Sequence, residues 1–185
     1  MPATEDRITT IEQLLELPED GMRHELLDGV HAVTPAPSLM HQRTVSYLHI
    51  ALHTALEDRD DMELLTSPAD IVLGPQALVQ PDLFVINKTP GKVRLEWSEV
   101  GIPLLALEIL SPTTAARDRG TKRRIYQRAG VAEYWIVDLD SRLVERWTPE
   151  DDRPAIYDSA LQWRLPNGAT GEIDLTAMFR QILGE

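Results

Sequence analysis

The sequence predicts an α/β fold (α+β mixed) in which a mixed central sheet is flanked by helices. A continuous apolar run at 104–110 has the length of a strand that is covered on both faces. A helical pattern follows at 115–129, and a run of aromatic and β-branched residues follows that helix at 134–137. This order of strand, crossover helix and further strand indicates a mixed sheet with helices on both sides.

Length and composition limit the other possibilities. The chain has 185 residues, which suit one domain spanning 1–185 with enough material for a substantial core. It contains no cysteine, so disulfides, thiolate metal sites and a cysteine nucleophile are excluded. Residues 1–7 lack the apolar segment of a signal peptide, and no run approaches the ~20 apolar residues of a membrane span. We therefore expect a cytoplasmic protein without membrane contact.

The first predicted elements are a short helix and a hairpin. One of two adjacent threonines can cap the helix, which is predicted to end at Leu17. Asp28-Gly29 then forms a strong two-residue turn signal between strand-like segments at 25–27 and 30–33.

The longest helix is predicted from about His41 to Glu57, where apolar residues repeat at helical spacing. His49 and His53 are four residues apart on it, as in zinc sites, but no third ligand is apparent and ordinary helix histidines are favoured. His41 lies near the helix start, where it either contacts a phosphate or, as the favoured alternative, forms a hydrogen bond with the backbone. His41 is therefore a secondary site candidate.

Two carboxylates stand in strand-like surroundings. Short strands are predicted near 63–66 and 70–73, and Asp82 then opens an apolar run at 83–86 after a proline that suits a strand's first position. Glu108 lies inside the later apolar run, where a glutamate is costly unless it is paired or binds a cation. If these strands pair, Asp82 and Glu108 can converge on one hard divalent cation, as in phosphoryl transfer.

The predicted helix at 115–129 has two unlike faces, and Gly130 supplies its stop. At 100° per residue, Lys122 falls on the apolar side with Asp118 and Ile125, whereas three arginines fall on the opposite side. Lys122 can therefore reach the two carboxylates, where a cation would stabilise charge that develops on a phosphate. The alternative is that Lys122 pairs with Asp118 and extends to solvent.

The net charge of −12 argues against a protein that coats nucleic acid non-specifically. The segment 117–128 is the exception, because it has six basic residues and one acidic residue. This asymmetry can attract a phosphate backbone to one face, and Arg117, Arg119 and Arg123 are the candidate nucleic-acid contacts. The alternative is a solvated basic surface that pairs with acidic neighbours.

The C-terminal part is predicted to complete the same domain. The strand at 134–137 is followed by a turn and by an alternating strand at 143–147. A tail hairpin and a terminal helix at about 176–183 come last. The aromatic residues of these strands are interpreted as core packing rather than as platforms for stacked bases.

Four motifs in their order along the chain resemble a known family. They are Pro81-Asp82, Glu108 with Leu110-Ser111-Pro112, Arg117-Asp118-Arg119-Gly120-Thr121-Lys122, and Gly130-Val131-Ala132-Glu133-Tyr134-Trp135. The segments 25–29 and 35–38, the latter just before His41-Gln42, extend a likeness that runs from about Arg23 to Trp147. Together they resemble the Uma-type putative restriction endonuclease family of the PD-(D/E)XK nuclease superfamily.

The resemblance implies a restriction-endonuclease-like αβββαβ core at about 23–147 and an endonuclease that hydrolyses DNA with Mg²⁺ or Mn²⁺. Asp82 and Glu108 would hold the metal, and products would carry 5′ phosphates and 3′ hydroxyls. The superfamily's lysine two residues after Glu108 is missing, because Leu110 stands there. The family likeness implies that Lys122 substitutes for it and completes the catalytic set.

Two further residues are weaker candidates, beside His41. Glu25 lies on a strand near the family's site, where it either adds a third carboxylate or is an exposed strand glutamate. Tyr126, one turn beyond Lys122, contacts substrate or packs beneath the lysine, and packing is favoured. His24 departs from the family pattern, which usually has an aromatic residue there.

Other functions fit the sequence less well. It has no G-x-S-x-G elbow, P-loop or dinucleotide-binding glycine fingerprint, and no organic cofactor is predicted. The competing hypothesis is a catalytically degenerate nuclease fold that acts as a DNA-binding or protein-interaction module. Leu110 and the acidic surface motivate it. A homodimer is consistent with cutting both DNA strands, since that requires two sites.

Overall fold

The computed structural model describes residues 7–89 and 91–184. Its strands are β1 (Arg23–Leu27), β2 (Val30–Thr34), β3 (Met62–Thr66), β4 (Ile71–Gly74), β5 (Ala77–Val79), β6 (Leu83–Asn87), β7 (Leu105–Ile109), β8 (Glu133–Asp138), β9 (Leu143–Trp147), β10 (Ala155–Tyr157), β11 (Ala160–Arg164) and β12 (Thr170–Asp174). Its helices are α1 (Ile11–Leu15), α2 (Leu39–Leu56), α3 (Ala115–Arg117), α4 (Arg123–Ala129) and α5 (Leu175–Leu183), with a π-helical turn at Asp118–Lys122 and a 3₁₀ turn at Trp97–Glu99.

The central sheet has six strands in the order β10-β9-β8-β7-β6-β3. β7 and β8 are parallel, and the other four neighbouring pairs are antiparallel. The two strands that carry the motif carboxylates, β6 and β7, are neighbours, with Leu83 opposite Leu107. The predicted mixed sheet flanked by helices is confirmed.

A second sheet has the strand order β2-β1-β5-β4. β1 and β2 form the predicted hairpin, and its turn residues Asp28 and Gly29 have φ values of 52° and 78°. Positive φ at both turn positions is the geometry that an Asp-Gly pair favours. β1 also pairs with β5, a three-residue strand that is too short to stand out in the sequence.

The crossover between β7 and β8 is one helical path in three parts: α3, the π-helical turn and α4. Gly130 ends it in the left-handed conformation with φ of 80°. The predicted limits of 115–129 are therefore confirmed. The π-helical turn was not predicted, because the side-chain pattern reports the faces of the helix but not a local change in its hydrogen bonding.

The two faces of the central sheet enter different cores. Leu105 and Leu107 of β7 pack on the side of α2 and α5, with Leu48 and Phe179. Ala106, between them, packs on the opposite side with residues of α4 and the second sheet. Because strand side chains alternate, Glu108 belongs to the side of α4 and the second sheet.

The chain ends differ from the predictions in detail. α1 is shorter than predicted: its cap is Thr10, and it ends at Leu15 rather than Leu17. The tail hairpin is β11–β12, which α5 follows as predicted. Residues 1–6, on which the expectation of no signal peptide partly depends, lie outside the described residues. Within the described ranges, no helix combines the length and apolar character needed to cross a membrane.

Candidate active site

The candidate residues meet on the face of the central sheet that α4 and the second sheet cover. Glu108 points to this face because it follows Leu107, which enters the opposite core. Asp82 directly precedes β6, and its backbone N–H donates to the Leu107 carbonyl at 3.0 Å. Glu25 of β1 shares a strand face with Leu27, which packs in the core beneath α4. Strand alternation thus places Glu25 and Glu108 on this face, and the start of β6 places Asp82 beside them.

Three groups hold the buried carboxylate of Asp82. Its Oδ1 accepts from Arg23 Nη1 at 2.7 Å, and its Oδ2 accepts from the backbone N–H of Ile109 at 2.8 Å. His41 Nε2 lies 2.9 Å from the same Oδ2. Burial by itself raises the pKa of Asp82, but the bond and charge of His41 and the charge of Arg23 outweigh burial and lower the pKa below its ordinary value. Asp82 is therefore ionised at neutral pH.

Glu108 has fewer donors and is equally buried, at 3% exposure. Its Oε1 accepts from Lys122 Nζ at 2.7 Å and from the Tyr126 hydroxyl at 3.0 Å. Burial raises the pKa of Glu108 well above its ordinary value, and neighbouring carboxylates raise it further, although Lys122 opposes them. The position therefore attracts additional positive charge.

Lys122 is buried among these acids rather than extended to solvent. Its Nζ lies 2.7 Å from Glu108 Oε1 and 2.8 Å from Glu25 Oε1. Asp118 Oδ1 is 3.9 Å away, which is too long for a hydrogen bond. Burial lowers the pKa of Lys122, but the surrounding carboxylates, Glu108 first, raise it above its ordinary value. Lys122 is therefore a protonated ammonium at neutral pH.

The weaker candidates Glu25 and Tyr126 are also buried at this site. Glu25 Oε1 accepts from the backbone N–H of Gln80 at 2.8 Å in addition to contacting Lys122. It is thus not an exposed strand glutamate. Tyr126 packs against the ring of Tyr134, with centroids 4.5 Å apart, while its hydroxyl donates to Glu108. Packing was the favoured interpretation of Tyr126, and the structure adds this hydrogen bond.

A cleft of about 510 Å³ opens beside the cluster. Glu108, Lys122, Arg23 and His41 line it together with the loops at 34–38 and 110–114. The cleft thus gives a ligand direct access to Glu108, to the Lys122 ammonium and to the groups that hold Asp82, and its lining also includes Asp118.

The oxygen donors of the cluster suit a hard divalent cation, because Mg²⁺ and Mn²⁺ favour carboxylates. Asp118 is buried beside them, and its Oδ1 is paired with Lys122 Nζ at 3.9 Å. Across residues 7–89 and 91–184, however, no three acidic or histidine side chains already stand at ligand spacing around one point. Lys122 Nζ lies between Glu108 and Glu25 instead. The donor chemistry therefore fits a cation, while the positive charge is supplied by the protein.

The two helix histidines do not form a metal site within the described residues. His49 and His53 stack on α2 with their ring centroids 6.2 Å apart, and neither lines the cleft. Their interpretation as ordinary helix histidines stays a prediction.

The three predicted nucleic-acid contacts all have protein partners. Arg119 forms ion pairs with Asp138 at 2.7 Å and with Glu145 at 2.5 Å. Its side chain is 40% exposed and lines the cleft. Arg123 lies 4.7 Å over the ring of Trp147, and Arg117 donates to the Thr34 hydroxyl at 2.8 Å. Neither Arg117 nor Arg123 lines the cleft. Of the three, Arg119 is the best placed to meet a ligand there.

Two residues of the cluster were not among the predicted site residues. Arg23 precedes Glu25 by two positions on β1, so the period of a strand would have placed both on one face. Asp118 was placed beside Lys122 by helical spacing, but only as its ion-pair partner. The structure has that ion pair, with Lys122 Nζ and Asp118 Oδ1 3.9 Å apart.

Comparison with known proteins gives one family and a structural neighbour. Residues 11–177 match the family model described as "Uma2: Putative restriction endonuclease". The fold is similar to the crystal structure of "a putative nuclease belonging to DUF820 from Anabaena variabilis ATCC 29413", with a TM-score of 0.79. The two sequences are 18% identical, and the similarity covers 94% of this chain and 98% of that chain. At this identity the likeness shows the fold. No curated protein matches the chain.

Proposed function

Since the matched family model spans residues 11–177, this chain belongs to the Uma2 family of putative restriction endonucleases, and we propose that it is a metal-dependent endonuclease that hydrolyses DNA phosphodiester bonds. The observation that carries the proposal is the buried cluster of Asp82, Glu108 and Lys122 next to the cleft. Burying such charges costs folding free energy, so a cluster with perturbed pKa values beside a cleft is typical of a functional site.

In this proposal, Asp82 and Glu108 hold Mg²⁺ or Mn²⁺. Both ions accept carboxylate ligands readily, and Glu108 attracts positive charge because its pKa is raised by burial. When bound, the ion supplies Lewis acidity, which activates water and stabilises charge on the phosphoryl group.

Lys122 acts as a hydrogen-bond donor and fixed positive charge. A group whose pKa lies above its ordinary value holds its proton at neutral pH, so Lys122 is a poor general base here. The ammonium lines the cleft, where it can orient a water molecule and stabilise negative charge that develops on a phosphate oxygen. In this role, Lys122 supplies the positive charge that is missing at position 110, where the chain has Leu110.

Three neighbours position the two carboxylates. Arg23 and His41 bind opposite oxygens of Asp82, which restricts rotation of its side chain. Tyr126 donates to Glu108 from beneath the cluster. These contacts fix the carboxylates before a substrate arrives, which reduces the cost of assembling the site.

The proposed substrate is DNA, cut to leave a 5′ phosphate and a 3′ hydroxyl. Ligation of the cleaved ends without prior phosphorylation supports this polarity, and a requirement for phosphorylation contradicts it. A homodimer would supply one site for each strand of a duplex. Sedimentation equilibrium in the presence of duplex DNA tests that part of the proposal.

The decisive test is nicking of supercoiled plasmid in Mg²⁺ and in Mn²⁺, with a chelator control. Asp82→Asn and Lys122→Met are each expected to lower the nicking rate by about 100-fold or more, because each removes charge from the reacting region. Asp140→Asn changes an exposed carboxylate of the same cleft and should retain the wild-type rate. Wild-type nicking that persists in chelator, or that both site variants retain, would sink the proposal.

The second candidate is a catalytically degenerate nuclease fold that serves as a DNA-binding or protein-interaction module. It is favoured by Leu110 and by the contacts that already neutralise Asp82 and Glu108 within the protein. This candidate predicts no nicking by any variant in either ion. Nicking by the wild type rules it out.

A further inference from the structure

The charged groups of the site lie at the base of the cleft, below its mouth. Glu108 and Lys122 both line the cleft, yet each is only 3% exposed. His41, which contacts Asp82, is 8% exposed and lines the same space. A phosphate that meets these groups must therefore enter the cleft itself, since contact with the surrounding surface does not reach them.

Three exposed connections form the rim of the cleft. They are residues 35–38 between β2 and α2, residues 112–113 before α3, and residues 140–141 between β8 and β9. None of these rim residues is basic, and Asp140 is acidic. The rim therefore offers no positive charge to a phosphate.

The positive charge of the lining lies inside the rim and is already shared with acids of the protein. Arg23 and Lys122 each form an ion pair with a carboxylate at 2.7 Å. Arg119, whose side chain is 40% exposed, pairs with two further carboxylates. Such a cleft can attract one phosphate backbone, but it has few cations for a second backbone.

An intact duplex fits this distribution of charge poorly. Double-stranded DNA carries one negative charge per about 1.7 Å of its axis, and proteins bind it by placing cations against many of those phosphates. Its persistence length of about 150 base pairs also makes it stiff, so that forcing one strand into a cleft costs deformation energy. A duplex that lies across the rim would bring two phosphate backbones to a surface that has Asp140 and no cation.

A single strand fits the cleft better in both respects. It has one phosphate backbone and bends freely, so that one phosphate can reach Lys122 while its neighbours stay in solvent. The cleft volume of about 510 Å³ lies within the range of about 300–1,000 Å³ for pockets that enclose small ligands, which suits a few nucleotides. Pro35, Pro37 and Pro112 on the rim are rigid apolar surfaces against which unpaired sugars and bases can pack.

We infer that the cleft receives one unpaired strand, so that the protein cuts single-stranded or locally melted DNA in preference to an intact duplex. The inference rests on the proposed function, because it names the form of DNA that enters the same site. It explains why the charged groups are buried below a rim without cations. Two copies of the protein that act on the separated strands of one melted site are compatible with it.

The first test measures binding by fluorescence anisotropy, with the Asp82→Asn variant of the full chain in Mg²⁺. The ligands are a labelled single strand without self-complementarity and the blunt duplex of the same sequence. We expect the single strand to bind at least about tenfold more tightly than the duplex, because only the duplex must be deformed. Equal affinity, tighter binding of the duplex, or binding of neither ligand overturns the inference.

A matched pair of substitutions, each added to Asp82→Asn, tests the role of the rim. Asp140→Lys adds a cation to the rim and should reduce the preference for the single strand by at least about threefold. Asp152→Lys adds the same charge at an exposed position outside the lining and should leave the preference unchanged. The same result for both substitutions contradicts the inference.

Cleavage by the wild type in Mn²⁺ separates this inference from the proposed function. A duplex with a central unpaired bubble should be cut within the bubble. Supercoiled plasmid should be nicked at least about tenfold faster than the same plasmid after relaxation, because negative supercoiling favours local melting. Equal rates of cutting in paired and unpaired DNA overturn the inference alone. Absence of cleavage in every substrate overturns the proposed function, and the binding preference then decides the inference.

Discussion

Asp82 and Glu108 are both buried, yet the pKa values of the two carboxyl groups shift in opposite directions. Asp82 contacts Arg23, His41 and a backbone N–H, and its pKa is lowered in spite of burial. Glu108 has two donors, and its pKa is raised. The protein therefore keeps one carboxylate firmly ionised and another ready to accept positive charge.

Acid titration should show the contribution of Asp82 to stability. Its pKa is lowered in the folded protein relative to 3.8, so the unfolded chain takes up the proton first as the pH falls. Stability from Asp82 is therefore present above pH 3.8 and is lost as the pH drops through the folded-state pKa. We expect wild type to be more stable than Asp82→Asn at pH 7, with a difference that disappears in strong acid.

The measurement is urea unfolding of both proteins from pH 7 to pH 2, with Asp140→Asn as the control. A stability difference between wild type and Asp82→Asn that stays constant over this range would contradict the lowered pKa.

At the scale of single residues, the sequence predicted which side chains are costly to bury, but it did not predict which residues donate hydrogen bonds to them. The apolar run around Glu108 predicted that this glutamate needs a partner. Helical spacing predicted which face of the helix carries Lys122. The donors of Asp82 did not, because Arg23 and His41 are 59 and 41 residues away along the chain. Such contacts depend on how strands from two sheets are brought together, which no local pattern specifies.

At the scale of elements, the π-helical turn is the feature with the most direct effect on the site. It contains Gly120, where an added Cβ would meet no other atom within 4 Å. Glycine in a helix costs roughly 0.5–1 kcal/mol relative to alanine, because the unfolded chain loses more freedom.

Gly120→Ala should raise the free energy of unfolding by about 0.5–1 kcal/mol and leave Mn²⁺ affinity unchanged. Gly171→Ala should lower the free energy of unfolding by about 1–3 kcal/mol, because the added Cβ would collide with the buried ring of Trp163. Urea unfolding of both variants measures this contrast. A destabilised Gly120→Ala would show that the π-helical turn requires glycine.

Elements with strong local patterns were predictable, and short or long-range features were not. The hairpin around Asp28-Gly29, the crossover helix and the paired strands β6 and β7 all formed as the sequence indicated. β5 and β10 have only three residues each and leave no periodic signal. The separate sheet that contains β1 was not predictable either, because tertiary contacts determine which strands pair.

At the scale of the whole molecule, the net charge of −12 limits how the proposed DNA substrate can be held. The cations that line the cleft are Arg23, Arg119 and Lys122. Each phosphate that a cation neutralises contributes about −0.9 to the slope of log affinity against log salt concentration. Binding through this cleft should therefore depend only moderately on salt.

We predict a salt slope of about −3 or shallower for duplex DNA, measured by fluorescence anisotropy with the Asp82→Asn variant in Mg²⁺. Adding Arg119→Gln should make the slope shallower by about 1, whereas adding Arg124→Gln, on the exposed side of α4, should not change it. A slope of about −6 or steeper would mean that DNA contacts a basic surface outside the cleft.

The pairing of β6 with β7 has a consequence for how this protein can diversify. Two hydrogen bonds across that pair hold Asp82 beside the strand of Glu108: the Asp82 N–H donates to the Leu107 carbonyl, and the Ile109 N–H donates to the Asp82 side-chain Oδ2. The connection between the two strands takes no part in those bonds. Insertions or new recognition segments can therefore accumulate at 91–100 over generations without moving the chemistry, whereas a one-residue slip between β6 and β7 would turn Glu108 to the opposite face. For the proposed nuclease, target choice and catalysis would thereby be open to selection at separate places in one gene.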